Sequence, residues 1–215
     1  MRINRYIAQA TGMSRRSADT AVANGTVKVN GLAVAAGYNT QPEDVVTLDA
    51  VVLTFADIAT IMLNKPVGYV CSRDGQGSKT IYELLPKQFH ALKSIGRLDK
   101  YSSGLLLLTN DGELANQLTH PSFQKEKVYE ITLNKFLSHP DQLKAENGVM
   151  LDDGLSKLKL NGKNKNWTIT MNEGRNRQIR RTFDVLGYEV IRLHRAKFGP
   201  YQLSGVALGS WQKLK

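Results

Sequence analysis

The first quarter of the chain changes from helical to extended hydrophobic spacing. Ile3, Tyr6, Ile7 and Ala10 recur at i, i+3, i+4 and i+7, which indicates one face of a helix. The pattern then predicts a helix over 15–23 capped by Ser14, a hairpin over 26–34 turning at Asn30-Gly31, and a short strand over 45–48. The core of such a unit is small, so we expect it to be marginally stable alone and flexibly tethered to a larger body.

Beyond residue 57, apolar strands and helices interleave with short connections. Four consecutive leucines at 105–108 predict a buried strand, and alternating residues at 128–133 predict another. Further strands are predicted at 61–63, 167–171 and 190–193, and helices at 80–85, 113–118, 140–146 and 176–186. We therefore predict an α+β protein with a small helix–helix–hairpin domain over 1–56 and a linker near 49–57. The larger domain, 57–215, is expected to have a mostly antiparallel sheet flanked by helices.

The net charge of the chain indicates what kind of partner it binds. The net charge is +10, which favours a polyanion. Residues 1–56 carry five basic against four acidic residues, a net of +1, and the remainder carries 24 against 15, a net of +9. We expect nucleic acid to lie chiefly on the larger part.

Several features narrow the class of protein. No apolar run is long enough for a membrane span, and the N-terminus lacks the pattern of a signal peptide, so no membrane partner is expected. A single cysteine, Cys71, fits a reducing compartment, and we expect a cytoplasmic protein. Cys71 and four scattered histidines offer no metal-ligand cluster.

Asp99, in the run Gly-Arg-Leu-Asp at 96–99, is the first candidate for chemistry. A carboxylate just before a glycine-closed loop and a buried strand is well placed at a cleft, where it can act as a nucleophile or base. The alternative is that Asp99 caps a turn and pairs with Arg97 or Lys100. Tyr129, at the start of an alternating strand, can stack on a base or be ordinary core.

Four arginines fall within seven residues where a helix is predicted to start. Arg180 lies at the edge of the apolar stripe that includes Ile179, so it can reach a cleft beside the core. It could instead pair with Asp184 at i+4. Arg177 and Arg181 point nearly the other way on a helical projection, towards solvent or phosphate.

Arg15 and Arg16 open the second predicted helix. Free backbone N–H groups and arginines at a helix N-terminus form a phosphate-binding surface. The alternative is a solvated helix end without a ligand.

Together these stretches resemble the ribosomal RNA pseudouridine synthases of the RsuA/RluB group. The resemblance covers nearly the whole chain, in the right order, and each part alone would be weak. Its motifs are SRR followed by VKVNG at 14–31, MLNKPVGYVCS at 62–72, GRLDKYSSGLLLLTNDG at 96–112, KVY at 127–129 and EGRNRQIRR at 173–181.

The resemblance implies a role for each candidate residue. Asp99 is the nucleophilic aspartate, Arg97 helps to hold the target base out of the stack, and Tyr129 stacks on the uracil. Arg180 is the basic residue that pairs with the aspartate. Phosphates would be held by Arg175, Arg177, Arg181, Arg15 and Arg16. The resemblance implies no metal and no cofactor, and Ser102 stands where threonine is usual in the family.

The implied function is isomerisation of a specific uridine in ribosomal RNA, either naked or in a ribosome assembly intermediate. The stretches 112–116 and 120–122 look more like the large-subunit enzymes, and a monomer is expected. The alternatives are a small-subunit enzyme, an enzyme acting on transfer RNA, or a ribosome-assembly RNA-binding protein without catalysis. The first covalent step stays open: Asp99 attacks C1′, or it removes a ribose proton.

Overall fold

The computed structural model describes residues 1–214. Its α-helices are α1 (Ile3–Thr11), α2 (Arg15–Ala23), α3 (Gly112–Thr119), α4 (His139–Asn147) and α5 (Gln178–Val185). Its strands are β1 (Val27–Val29), β2 (Leu32–Ala33), β3 (Val46–Leu48), β4 (Val51–Val52), β5 (Thr60–Lys65), β6 (Lys93–Ile95), β7 (Ser103–Thr109), β8 (Lys127–Leu133), β9 (Val149–Leu151), β10 (Gly154–Ser156), β11 (Lys159–Lys163), β12 (Asn166–Met171), β13 (Val190–Phe198), β14 (Tyr201–Gln202) and β15 (Trp211–Leu214). Short 3-10 helices span Ile81–Leu84, Lys87–Phe89 and Pro121–Phe123.

The N-terminal unit has the predicted helices and hairpin. The Ser14 side chain accepts a hydrogen bond from the Ser17 backbone N–H at 3.0 Å, which caps α2. Asn30 and Gly31 both adopt positive φ, 51° and 82°, as the tight turn between β1 and β2 requires. These strands form a separate four-stranded sheet in the order β2-β1-β3-β4. The predicted linker at 49–57 is corrected in part, because β4 lies within it and pairs with β3.

A second, larger sheet contains nine strands, and β9 and β10 form a separate two-stranded sheet. The strands of the larger sheet follow the order β11-β12-β8-β13-β7-β5-β15, with β14 paired to β13 and β6 paired to β7. Only β7 and β13 run parallel among the described pairs, so the prediction of a mostly antiparallel sheet in an α+β fold is confirmed.

The leucine run of β7 explains how two cores meet at this sheet. Successive side chains of a strand point to opposite faces. Leu106 and Leu108 join the cluster that contains Phe183 of α5, whereas Leu105 and Leu107 join the cluster that contains Phe198 of β13. A strand that is buried on both faces needs an unbroken apolar run, and all four leucines are fully buried.

Gly104 allows the parallel contact between β7 and β13. It has a φ of 109° and lies opposite Arg195, and a Cβ at this position would run into the Arg195 backbone. The loop that carries Asp99 leads into β7, so this close approach brings Asp99 near β13. Strand β13 pairs with β8 on its other side. The parallel junction therefore positions the candidate site.

Candidate active site

An open cavity of about 830 Å³ lies where the 96–102 loop, β8, β13 and the approach to α5 meet. A volume of this size falls within the range of small-ligand sites, roughly 300–1,000 Å³. Five of the residues singled out from the sequence line it: Arg97, Asp99, Tyr129, Arg175 and Arg177. Arg15, Arg16, Arg180 and Arg181 are not among the lining residues.

Asp99 is held through its backbone and faces the cavity with its carboxylate. Its carbonyl accepts hydrogen bonds from the Ser102 N–H at 3.0 Å and from Lys65 Nζ at 3.1 Å. The side chain is 35% exposed. Neither partner of the turn-cap alternative holds it, since Arg97 is exposed and Lys100 Nζ donates to Ser78 Oγ at 3.1 Å.

The ion-pair partner of Asp99 is Arg177. Arg177 Nη1 lies 3.8 Å from Asp99 Oδ2, and the Arg177 side chain is 45% exposed. The predicted salt bridge between Asp99 and Arg180 is therefore corrected. The two terminal nitrogens of Arg180 donate to the carbonyls of Val190 and Tyr101. Because these donors bind backbone carbonyls, Arg180 also does not form the alternative ion pair with Asp184.

The exchange of roles between the two arginines has a geometric cause. The first residue of α5 is Gln178, and Arg177 precedes it in a left-handed conformation, with φ 47° and ψ 29°. A helical projection does not apply to a residue outside the helix, so Arg177 turns back towards Asp99. Arg180, inside α5, is 9% exposed and points into the protein.

Arg180 still contributes to the electrostatics around Asp99. Burial lowers the pKa of Arg180, the neighbouring Arg177 charge lowers it further, and the Asp99 carboxylate opposes both effects. Arg180 and Asp99 therefore interact through space, while the hydrogen bonds of Arg180 go to backbone carbonyls.

Tyr129 belongs both to the wall of the cavity and to the core. It is buried on β8, and it lies directly opposite Ile169 of β12 and Arg195 of β13. Residues directly opposite in an antiparallel pair share one face of the sheet. Tyr129 and Arg195 both line the cavity, so the ring is fixed in place and available to a ligand.

The remaining predicted phosphate contacts lie away from Asp99 or are already engaged. Arg175 and Arg181 both bind Asp153, with shortest distances of 2.8 Å and 2.7 Å, and Arg181 and Arg175 hold the pKa of Asp153 below its usual range. Arg15 donates to Asn4 Oδ1 at 3.1 Å, and both Arg15 and Arg16 are exposed on α2. Their role in RNA binding stays a prediction.

Residues 1–214, which the structure describes, contain neither a membrane-spanning helix nor a cluster of metal-binding side chains. No helix in residues 1–214 has the length and apolar character needed to cross a membrane. Across the same residues, His, Cys, Asp and Glu do not gather in groups of three or more that could hold a metal ion.

Comparison with known proteins identifies the family. The RNA pseudouridylate synthase family matches residues 59–184, which is more than half of the chain. The chain belongs to the RNA pseudouridylate synthase family. Its relatives include an uncharacterized RNA pseudouridine synthase of Aquifex aeolicus, 36% identical over 100% of this chain and 90% of the relative. Another is the ribosomal large subunit pseudouridine synthase B of Bacillus subtilis, 34% identical over 99% of this chain and 91% of the relative.

A solved structure agrees with this assignment. A crystal structure of a pseudouridylate synthase superposes with a TM-score of 0.72 at 33% identity. It covers 100% of this chain and 96% of the other. The region of similarity to that structure therefore includes the N-terminal unit as well as the large sheet.

Lys65 is a residue of this pseudouridylate synthase whose role the sequence did not reveal. It ends β5 and is fully buried, and its Nζ donates to the carbonyls of Pro66, Asp99 and Ser102. Burial lowers the pKa of Lys65 to about 8. Its three bonds tie both ends of the Asp99 turn to the sheet. The motif MLNKP contains Lys65, but a lysine is rarely buried and the sequence gives no signal that this one is.

Two more buried polar groups of the synthase border the cavity. Ser102 is 1% exposed, and its hydroxyl has no hydrogen-bond partner. Arg195 is buried as well, and its Nη2 has no partner. The sequence motifs do not single out Arg195 from the neighbouring basic residues Arg192 and Lys197. Strand alternation could have separated it from exposed Arg192, because Arg195 lies on the same face of β13 as buried Leu193 and Arg192 lies on the other face.

Proposed function

We propose that this chain converts a uridine in ribosomal RNA to pseudouridine, with Asp99 acting on the ribose of a flipped nucleotide. The observation that carries this proposal is the convergence of Asp99, Tyr129 and Arg177 on one cavity. A carboxylate, an aromatic ring and a cation are the groups that the reaction requires. A target inside a helix must leave the stack to reach them.

The reaction breaks the N1–C1′ bond, turns the uracil over and joins C5 to C1′. In one route the Asp99 carboxylate bonds to C1′, and in the other it removes the C2′ proton and leaves a C1′–C2′ double bond. Both routes need the ionised carboxylate. Arg177 at 3.8 Å is the cation paired with this carboxylate, and the charges of Lys65 and Arg180 lie nearby.

Tyr129 and Arg97 have complementary tasks in the proposed mechanism. The Tyr129 ring in the cavity wall can stack on the extruded uracil, a contact that contributes about 1–3 kcal/mol per base. We also propose that Tyr129 assists removal of the C5 proton. Arg97 is exposed at the edge of the cavity, where it can occupy the space that the base leaves in the RNA.

The choice of ribosomal RNA rests on the relatives and on charge. The Bacillus subtilis relative bears the name of a large-subunit enzyme, and the same assignment is proposed here. We further propose that residues 1–56 form an RNA-binding domain using Arg15 and Arg16, and that 57–215 form the catalytic domain. In the catalytic domain, Arg175, Arg177 and Arg181 would reach phosphates. The protein would act as a monomer in the cytoplasm.

Mapping of pseudouridine in ribosomal RNA from cells with and without this protein tests the proposal. The expected result is loss of at least one pseudouridine in large-subunit RNA and its return when the wild-type chain is supplied. A complete set of pseudouridines without the protein contradicts the proposal. Loss in small-subunit or transfer RNA alone would overturn the large-subunit assignment. Return of the site with Asp99→Asn would favour an assembly protein without catalysis.

A further inference from the structure

Arg195 is a buried cation that the roles above do not use. It is 3% exposed, and its Nε donates to the Leu105 carbonyl at 2.8 Å. Its Nη2 is buried without a hydrogen-bond partner. No ion pair joins it to a carboxylate between residues 1 and 214. A buried charge without a counter-ion is costly, so this position is suited to a negative ligand.

The surroundings of Arg195 show where such a ligand would lie. Arg195 faces Tyr129 directly across the β8–β13 pair, and both line the cavity that contains Asp99. Its guanidinium carbon lies 4.9 Å from the centre of the Phe198 ring. The apolar residues that line the cavity include Leu98, Met171, Ile179, Leu193 and Phe198. An electrostatic interaction in such a wall is stronger than one in water.

We propose that Arg195 donates a hydrogen bond to a carbonyl oxygen of the target uracil and stabilises the negative charge that the base gains on detachment. The inference rests on the proposed isomerase function. When the N1–C1′ bond breaks, its electron pair leaves with the uracil and spreads over N1, O2 and O4. C1′ is then bonded to the Asp99 carboxylate or doubly bonded to C2′. C5 later bonds to C1′ as the Asp99–C1′ bond breaks or, in the other route, as Asp99 returns its proton to C2′. C5 then loses its proton and N1 gains one, so the step needs no oxidant and no cofactor.

The depth of Arg195 favours the base over a phosphate as its ligand. Phosphates of the RNA backbone have other cations to contact, because Arg97 and Lys157 also line the cavity and are exposed. The extruded base is the part of the nucleotide that enters furthest. A guanidinium beside Tyr129 in the inner wall therefore meets the base.

Single-turnover conversion of two RNAs tests this role. The substrates are a synthetic fragment of ribosomal RNA carrying the mapped site, made with either uridine or 5-fluorouridine at the target. Fluorine stabilises the detached uracil anion, so the fluorinated base depends less on the enzyme for that purpose. Consumption of the target nucleotide is followed by mass spectrometry, and RNA affinity is measured in parallel. The proteins are the full-length wild type, Arg195→Gln, Arg195→Lys and Arg192→Gln.

We expect Arg195→Gln to slow conversion of the uridine RNA about 100-fold and conversion of the fluorinated RNA only about 10-fold. The affinity for either RNA should change little. Arg192→Gln is the control, because Arg192 lies on the same strand but is exposed and pairs with Glu130 at 3.5 Å. It should convert both RNAs at the wild-type rate. If Arg195→Gln does not fold in a thermal melt, Arg195→Lys should show the same difference between the two RNAs with a smaller loss.

Three results would overturn the inference. An equal loss of rate on both RNAs would show that Arg195 contributes only to packing. A fall in affinity that matches the fall in rate would make it a phosphate contact, and an unchanged rate would remove it from the reaction. Failure of the wild-type chain to convert the uridine RNA would instead refute the proposed function, and this inference with it.

Discussion

Arg177 and Arg180 are three positions apart in the sequence and have different environments. Arg177 is partly exposed and pairs with Asp99, whereas Arg180 is buried and bound to two backbone carbonyls. An exposed ion pair contributes little to folding, but loss of a buried donor leaves its acceptors without partners. The two arginines should therefore affect stability and activity differently.

Urea unfolding of two variants checks this separation. Arg177→Gln should change the free energy of unfolding by no more than about 0.5 kcal/mol, and it should slow the reaction because Asp99 loses its cation. Arg180→Met should lower the free energy of unfolding by about 3 kcal/mol, since the carbonyls of Val190 and Tyr101 lose their donor. Equal effects on stability would contradict the assigned environments.

Lys65 predicts a pH dependence of stability. Its folded-state pKa of about 8 lies below the ordinary value of 10.5. Between these values the unfolded chain binds a proton that the folded chain does not, so this group makes stability rise with pH. The rise should total roughly 3 kcal/mol between about pH 8 and 10.5 and be absent below about pH 8. Lys65→Met should lack this rise in urea unfolding series, and parallel curves for the two proteins would contradict the buried, easily deprotonated lysine.

At the scale of elements, the parallel junction of β7 and β13 depends on one glycine. Gly104→Ala places a Cβ against the Arg195 backbone and requires an unfavourable φ of 109°. We expect a loss of about 3 kcal/mol in the free energy of unfolding. Gly187→Ala is the matched control, because its φ is 79° but its Cβ would meet open space, so only about 1 kcal/mol is expected. Similar losses for both variants would remove the special role of the junction.

The sequence predicted elements well where the signal is local. Ser14 caps α2 as expected, and the leucine run forms a strand with both faces buried. Prediction from the sequence pattern missed elements whose formation depends on partners that are distant in the sequence. Strand β15 is four residues long, and its partner β5 lies about 150 residues earlier in the sequence. The β9–β10 hairpin has three buried positions, and most of its other side chains are exposed. Neither has a clear hydrophobic period.

The residues of the candidate site could likewise be predicted only in part from the sequence. Asp99 and Tyr129 were found through motifs, and both line the cavity. The exchange between Arg177 and Arg180 could not be foreseen, because it depends on a left-handed residue before α5. The burial of Lys65 and Arg195 depends on the close approach of β5, β7 and β13, which is a property of the assembled sheet.

At the scale of the whole molecule, contacts link the N-terminal unit to the large sheet. Lys93 Nζ donates to the Met13 carbonyl at 2.8 Å, and Arg5 lies 3.9 Å from Glu113. Exposed arginines on α2 therefore lie on a unit that is joined to the body carrying Asp99. This arrangement suits an RNA that contacts both parts at once.

Charge removal on the N-terminal unit tests that arrangement. The double variant Arg15→Gln, Arg16→Gln should weaken RNA binding and reduce its dependence on salt, because fewer phosphates are neutralised. The single-turnover rate at saturating enzyme should be unchanged, since neither residue lines the cavity. Lys28→Gln, an exposed charge on β1, serves as control. An unchanged affinity and salt dependence for the double variant would exclude these arginines from the RNA surface.

Single-turnover conversion of ribosomal RNA by Asp99→Asn tests the central role of this carboxylate most directly. The side chain keeps its size and remains beside Arg177, but it can neither bond to C1′ as a carboxylate nor take a ribose proton. We predict no detectable pseudouridine, with RNA affinity and the thermal unfolding midpoint close to those of the wild type. Formation of pseudouridine by a clean Asp99→Asn preparation at the wild-type rate would contradict the account.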